Sequence, residues 1–294
     1  GIKTPILVLH PQPENFETLI DRCLEPSLYN ESVLKQFIKI ASEKKQLNYP
    51  VHLKFNTGLN RLGFNEAEVD KIISELNATS TIKITSLFSH LAASEDLTEK
   101  YFSQSQISTF KNIAKNISSK LSYQPKLHMS NTSGILNYPE AQFDMVRSGI
   151  GLYGFSNIPE EQKNFIPIAT LKSVISQIHT IKKGDSVGYN RAFKSEGTIV
   201  TATIPIGHAD GISRAYGNGK GWVMVQGIKA PIIGNVCMDM MMVNITGIVC
   251  KEGDEVIVFG GNNKADLLAE SIESISYELL TAISQRVKRE VCRK

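Results

Sequence analysis

"VHLKFNTGLNRLGF", residues 51–64, is the stretch on which the fold turns. With a strand's period of two, Val51, Leu53 and Phe55 face one way and His52, Lys54 and Asn56 the other. The alternation stops at the turn sequence Asn56-Thr57-Gly58, and Arg61 follows in the loop. Two readings compete for such a strand. It is an edge strand with a solvated polar face, or its polar residues project from a strand end into a site assembled from several strand ends.

Outward from it, short apolar strands alternate with helical stretches. Strands are expected at PILVL (5–9), PSLYN (26–30), VHLKFN (51–56), IKITSLFSH (82–90), PKLHMS (125–130) and FDMVRSG (143–149). Between them, ESVLKQFIKIASEKKQ (31–46) carries Val33, Leu34, Phe37, Ile38 and Ile40 as an apolar stripe of helical period. Strand, helix, strand implies a parallel sheet, either open and doubly wound or part of a (β/α)8 barrel. No GxGxxG follows an early strand, which argues against dinucleotide binding. From Ile168 onward the pattern becomes strands separated by glycine turns, as in GTIVTATIPIG, GWVMVQG and DEVIVFG, which suggests a β-barrel or sandwich. A closing helix is expected over ADLLAESIESISYELLTAISQRVKR (265–289). The expected fold is α/β: a parallel β/α domain of one of these two kinds over 1–159, then a mostly β domain with that closing helix over 160–294.

Composition excludes several function classes. With 294 residues, 41% hydrophobic and 21% charged, the chain has room for one large core or two ordinary ones. A net charge of +3 against 32 basic and 29 acidic residues, with the basic residues scattered, does not call for nucleic acid or an anionic membrane. No apolar run approaches the roughly 20 residues needed to span a bilayer, and GIKTPILVLHPQPENF does not read as a secretory signal. Cys23, Cys237, Cys250 and Cys292 lie far apart, with no CxxC pair and no histidine at metal-ligand spacing. That pattern fits reduced thiols in a cytoplasm and no metal.

Polar residues recur at the strand ends, where a parallel barrel builds its site. Lys54 and Arg61 follow one strand, His90 the next, the run HMSNTSG (128–134) another, and Arg147 in VRSG the last. One such histidine is ordinarily structural; four successive ends with chemistry-capable residues point to a site.

In order and across essentially the whole chain, HLKFNTGLNRLGF (52–64), SHLAASED (89–96), HMSNTSG (128–134), VRSGIGLYG (146–154), GDSVGYNRAF (184–193), TIPIGHADGISR (203–214), GNVCMDMMMV (234–243) and ISYELL (275–280) resemble the motif series of alanine racemases. The resemblance implies a barrel plus β-domain fold carrying pyridoxal 5'-phosphate, with alanine as substrate. Racemisation needs an electron sink and two acid/base groups on opposite sides of the α-carbon. By resemblance Tyr189 is the base acting on L-alanine, helped by His90, which is held by Arg147. Arg147 would contact the pyridine nitrogen as a donor that does not give up its proton, making the ring a weaker sink suited to reversible proton transfer. Thr132, Gly149, Ile150 and Tyr277 match the phosphate-binding positions, with Asn131 and His128 beside them. Thr132 replaces the commoner serine and keeps the hydroxyl; the structural alternative for each hydroxyl is a cap or turn role.

Arg61 is implied to reach the substrate carboxylate and the cofactor's phenolic oxygen. Lys54 matches a position that several members carbamylate, turning a cation into an anion that orients Arg61; an unmodified lysine is the alternative. Met238 would offer its backbone N–H to the substrate carboxylate, with Asp239 beside it, though a methionine run in a strand is most simply core. His208 stands where many members carry an entrance tyrosine. The family's cofactor lysine, in a KANAYGHG-like run, has no counterpart here. Six expected strands against eight, at about 30 residues per barrel unit, suggest an incomplete (β/α)8 TIM-type barrel over 1–159 in a truncated racemase domain, inactive alone, with apolar surface exposed where two strands belong. The family further implies a homodimer with shared active sites and a role in peptidoglycan precursor synthesis. HPQPENFETLIDRCLEPSLYN (10–30) resembles racemases fused to a peptidoglycan-precursor ligase. Competing readings are a serine racemase or other barrel-type enzyme using this cofactor, and a non-catalytic interaction domain descended from a racemase; a decarboxylase is disfavoured by Arg147.

Overall fold

Five strands, β1 (Leu7–Val8), β2 (Glu25–Leu28), β3 (Tyr49–Lys54), β4 (Ile82–Phe88) and β5 (Lys126–His128), pair in parallel in the order β1-β2-β3-β4-β5. That sequential order decides between the two architectures. A doubly wound sheet reverses its strand order at a switch point, whereas a barrel adds each strand beside the last. In this computed structural model, which describes residues 1–156 and 158–292, the sheet is an incomplete barrel-type sheet with helices α1 (Phe16–Asp21), α2 (Glu31–Glu43), α3 (Val69–Asn77), α4 (Lys100–Ser118) and α5 (Thr132–Asn137) in its connections. β3 lies inside the sheet, so the edge-strand reading of VHLKFN fails: His52 is 5% and Lys54 6% exposed.

The core of this unit follows from helix periodicity. The α2 stripe buries Val33, Leu34, Phe37 and Ala41, and Asn30 caps the helix by accepting from Val33 N–H at 2.8 Å. Phe37 meets Phe16 edge to face at 5.1 Å between centroids. α4 contributes Ile107, Phe110, Ile113, Ala114 and Ile117.

The sixth expected strand, FDMVRSG, is not one. Only an isolated parallel bridge, His128 to Met145, remains. Phe143 adopts the left-handed region at φ 48°, and the Asp144 carboxylate takes the Leu127 N–H at 2.8 Å, replacing a main-chain acceptor. The segment therefore runs beside β5 without forming a ladder.

The chain divides into a first unit of Gly1–Leu152 with Ser156–Gln162, and a second of Tyr153–Phe155 with the chain from Lys163 onward. The second unit is mostly β. Its strands are β6 (Leu171–Val174), β7 (Gln177–Ile181), β8 (Ser186–Val187), β9 (Phe193–Lys194), β10 (Ile199–Ile204), β11 (Trp222–Val225), β12 (Ile228–Ile233), β13 (Met241–Asn244) and β14 (Glu255–Phe259). Seven of them form an antiparallel sheet, β6-β14-β11-β12-β13-β10-β7, and β8 pairs with β9. Gln226 and Gly227, both at positive φ, make the two-residue turn between β11 and β12 that strand twist favours.

The expected closing helix is two short ones, α6 (Ala265–Glu270) and α7 (Ser276–Ala282). Serines interrupt it: Ser271 Oγ donates to the Leu268 carbonyl at 2.7 Å, Glu273 turns to φ 58°, and Ser274 N–H returns to the Ala269 carbonyl.

Phe37→Ala is expected to destabilise the protein by about 3–5 kcal/mol in urea unfolding. Lys39→Ala on the solvent face of α2 should stay within about 0.5 kcal/mol of wild type.

Candidate active site

Strand register assembles the first cluster. Lys54 pairs with Phe88, Phe88 with His128, and His128 bridges to Met145, so these residues form one row across the C-terminal ends of β3, β4 and β5. Ser27, His52 and Ser86 form the row two residues earlier. Registered residues of a parallel sheet share a face, and so do residues two apart on one strand. Lys54, His52, Ser86, Phe88 and His128 therefore all face the same side. The loops beyond these ends add Arg61, His90 and Arg147. Lys54, Arg61, His90 and Arg147 line one cleft of about 490 Å³ with Leu9, Leu62, Phe88 and His10.

The Arg61 loop is closed by tight backbone contact. Gly63, at φ 135°, lies where an added Cβ would stand 2.5 Å from the Asn56 nitrogen. This approach lets Phe64 N–H reach the Lys54 carbonyl at 2.8 Å and brings Phe64 beside Phe55.

Arg147 is the centre of the cluster. Its Nη1 donates to His128 Nδ1. Its Nη2 donates to the Ser89 carbonyl at 2.8 Å, to His90 Nδ1 at 3.0 Å and to the Met129 carbonyl at 3.2 Å. The guanidinium carbon lies 5.2 Å from the centroid of Phe88, which stacks on His128 at 4.8 Å. Among the described residues no carboxylate pairs with Lys54, Arg61 or Arg147. Burial lowers Arg147 to about 10, so it remains a cation at neutral pH. Burial, followed by the field of Arg147, Arg61 and Lys54, pushes His90 down to about 4. Burial, then Arg147 and His52, takes His128 to about 3. Both imidazoles are neutral and accept from Arg147 through Nδ1, leaving Nε2–H on each as a donor. Chemically, this is a cationic cleft that selects an anion, with a donor-only arginine aimed from fixed neutral supports.

A second arrangement lies at the start of α5. Asn131 caps the helix, its Oδ1 accepting from Gly134 N–H and Ser94 Oγ, both at 2.8 Å. Thr132 Oγ1 accepts from Gly149 N–H at 3.0 Å and Gly151 N–H at 3.2 Å. Two main-chain donors thus converge on one oxygen beside Ile150, which is buried. Asn131 Oδ1 is thus committed to the cap and to Ser94.

Tyr189, Met238, Asp239, His208 and Tyr277 belong to the second unit. Tyr189, 74% exposed, and Met238, 60% exposed, line a common cleft with Asp239 and Met240. Met238 is therefore not core; the run enters the sheet only at Met241, which is fully buried. Gly207 allows the Met238 loop its position, since a Cβ there would meet the Cys237 and Met238 carbonyls at 2.4 and 2.5 Å. Arg286 ties the same loop down, bonding Asp239 at 2.6 Å and Asp210 at 2.7 Å. His208 is exposed at a separate pocket with Tyr216 and Glu278. Tyr277 lies half-buried on α7.

Sequence reasoning passed over His10, which the strand-end argument applied to β1 points out. It also passed over Glu25, His52 and Ser86 as partners of His128, a link that needs strand register to see.

Residues 1–157 match the family model of the alanine racemase N-terminal domain, and residues 168–291 that of the alanine racemase C-terminal domain. The chain is 33% identical over 303 residues to the alanine racemase of Sorangium cellulosum, covering 98% of this chain and 79% of that one. A solved alanine racemase of Clostridium difficile superposes with a TM-score of 0.89 at 31% identity, covering 98% of this chain and 76% of that one. The Bartonella henselae alanine racemase, solved with covalently bound pyridoxal phosphate, gives 0.84 at 27% identity, with 99% and 79% covered.

Burial, with Arg61 and Arg147 adding to it, lowers the Lys54 amine from 10.5 to about 8. Below about pH 8 the amine is protonated in both folded and unfolded chains, and the folded chain bears the full cost; the cost fades as pH rises toward 10.5. Lys54→Met is therefore expected to stabilise the cofactor-free chain at pH 7, by on the order of 1–3 kcal/mol. The gain should shrink between about pH 8 and 10.5 in urea unfolding in carbonate-free buffer. A gain that grows over that window contradicts a depressed amine.

Proposed function

The chain belongs to the alanine racemase family, and from that premise we propose that its residues act on alanine, interconverting its L and D forms with pyridoxal 5'-phosphate. The observation that carries this reading is Arg147, a part-buried cation held by neutral acceptors. Three of its five N–H bonds are enough for those acceptors, so donor capacity is left for the lone pair of a ring nitrogen. Lys54 and Arg61 on the same cleft suit an anionic ligand. The residues present therefore fit the ring and charge of the cofactor. Lys54 is the lysine lining the cleft, and the family resemblance gives its position a different role, so the cofactor's covalent anchor is not among these residues.

When bound, the cofactor supplies the electron sink for the carbanion left by removal of the α-proton. Arg147 would hold the ring by donating to its nitrogen. The Gly149 and Gly151 N–H groups converge on Thr132 Oγ1, and a phosphate oxygen would take donors of the same kind, with the Thr132 hydroxyl and Ile150 beside it. Asn131 holds the α5 start. Arg61 orients the substrate carboxylate, and the family reading gives the Met238 backbone N–H, in the second unit, a substrate-binding role. Carbamylation of Lys54, whose low amine pKa favours the neutral nucleophile, would supply the anion that orients Arg61.

Tyr189 removes the α-proton of L-alanine. An ordinary tyrosine, with a pKa of about 10, holds its proton at neutral pH and needs a donor that stabilises the phenolate. His90 fits that task, since Arg147 occupies its Nδ1 and leaves Nε2–H to give. The family reading makes the enzyme a homodimer in which Tyr189 of one subunit serves the other, working in the cytoplasm on D-alanine for peptidoglycan precursors. Among the described residues no helix is long and apolar enough to cross a membrane.

Full racemisation needs two acid/base groups, but exchange of the alanine α-proton with deuterium from D2O needs one, so exchange reads Tyr189 alone. With added pyridoxal 5'-phosphate, the chain is expected to bind the cofactor saturably and to exchange the α-proton of L-alanine. Tyr189→Phe should retain binding and lower exchange by roughly 10²-fold or more. Arg147→Ala should weaken binding itself. Absence of saturable binding overturns the reading of the cleft, and an unchanged exchange rate in Tyr189→Phe overturns the role of the tyrosine.

A further inference from the structure

Behind the cleft, three buried side chains connect Arg147 to a carboxylate. His128 Nε2 is 2.9 Å from Ser86 Oγ, Ser86 Oγ is 2.5 Å from His52 Nδ1, and His52 Nε2 is 2.8 Å from Glu25 Oε2. His128 is 0%, Ser86 1% and His52 5% exposed, so water does not complete their bonding. The proton positions follow from the two ends. Arg147 has no acceptor, so His128 Nδ1 must accept and its proton sits on Nε2. Glu25 is acceptor only, so His52 must carry its proton on Nε2. Ser86 then receives from His128 and donates to His52 with its single hydroxyl proton. Every bond runs in one direction, from guanidinium to carboxylate, and none is left unmatched. Burial keeps His128 neutral and lowers His52 as well, against the opposing pull of Glu25, which is what a one-proton imidazole at each position requires.

We propose that Glu25 is a positioning residue for Arg147, acting through His52, Ser86 and His128 by making this direction of the relay the only satisfied one. The proposal deepens the reading of Arg147 as the ring-nitrogen donor and rests on it for its catalytic meaning; the relay itself exists without cofactor. If the relay ran the other way, His52 would donate to Ser86 and Ser86 to His128 Nε2. His128 would then turn an Nδ1–H toward the guanidinium, donor against donor, and Arg147 would lose one of its four supports. A buried donor without a partner costs about 1–3 kcal/mol. With Glu25 present the reversed relay leaves faults at both ends, whereas without it the native direction also leaves one, on His52 Nε2–H. Glu25 sits at the first position of β2 with 14% of its side chain exposed, at the margin of the core.

The experiment is long-range ¹H–¹⁵N NMR of the histidine-labelled, cofactor-free full chain, with cooperative melting as the check on folding. Wild type is expected to show His52 and His128 each as a single neutral tautomer with Nε2 protonated. Glu25→Leu, and the smaller Glu25→Ala, should shift the His128 Nδ1 resonance away from the unprotonated range and bring His52 into two tautomers. Glu25→Gln keeps an acceptor oxygen for His52 and should restore the wild-type pattern. His128 unchanged in whichever apolar variant folds would show that Arg147 alone fixes it and would overturn the proposal. Failure of the chain to bind pyridoxal 5'-phosphate leaves this result standing and bears only on the functional reading.

Discussion

A guanidinium buried without a carboxylate beside it is the constraint around which the first unit is arranged. Removing an ion from water costs several kcal/mol even after relaxation, and Arg147 meets that cost with two carbonyls, two imidazoles and the face of Phe88. These acceptors solvate the charge without cancelling it. The positive potential therefore persists in the cleft, reinforced by Arg61 and Lys54. It also dictates the state of its own supports, because a protonated His90 or His128 would add a cation and turn an acceptor into a donor. Burial is the first cause of the depressed pKa values of both histidines and of Lys54, and the unneutralised charge adds to it, directly after burial at the histidines and after Arg61 at Lys54.

Meeting the constraint requires strand register to within one residue. His52, Ser86 and His128 come from three strands, and each must face the same side of the sheet. Val51 pairs with Ile84, but His52 pairs with Ser86, so β4 carries one extra residue at that point. Without that irregularity Thr85 would stand opposite His52, and the serine that links two imidazoles would be out of line. A one-residue slip in a strand exchanges its faces, and here it would separate Arg147 from the groups behind His128.

The same irregularity explains what the sequence could and could not disclose. The period of two in VHLKFN correctly grouped His52 with Lys54, because alternation within one strand needs no partner. Whether that face was wet or buried depended on β2 and β4 lying on either side, which a single segment does not contain. Glu25, ahead of a proline at a strand start, looks like an ordinary solvated acid, and only pairing through Ser27 and His52 brings it behind the cleft. FDMVRSG has the composition of a strand, yet the Asp144 side chain takes the hydrogen bond that a ladder would need. The closing helix failed for a similar reason, with serine side chains competing for backbone groups. The motif runs singled out Arg61, His90 and Arg147, which line one cleft, because each sits in a recognisable local run; supports reached only through register do not.

A counter-ion normally does two things together: it orients its partner and it neutralises it. The chain from Arg147 to Glu25 separates them. Hydrogen-bond direction passes through three neutral groups, since each has a single proton to give and a neutral imidazole that donates from Nε2 offers only a lone pair at Nδ1. Coulomb attraction falls with distance and with the polarisable matter between the charges. A carboxylate placed directly on Arg147 would have fixed the guanidinium equally well but removed the potential that draws an anion to Lys54 and Arg61, and it would have encouraged protonation of the nearby imidazoles. With the carboxylate set back behind His52, Ser86 and His128, the arginine keeps its hydrogen-bonded supports and remains, toward the cleft, a positive charge.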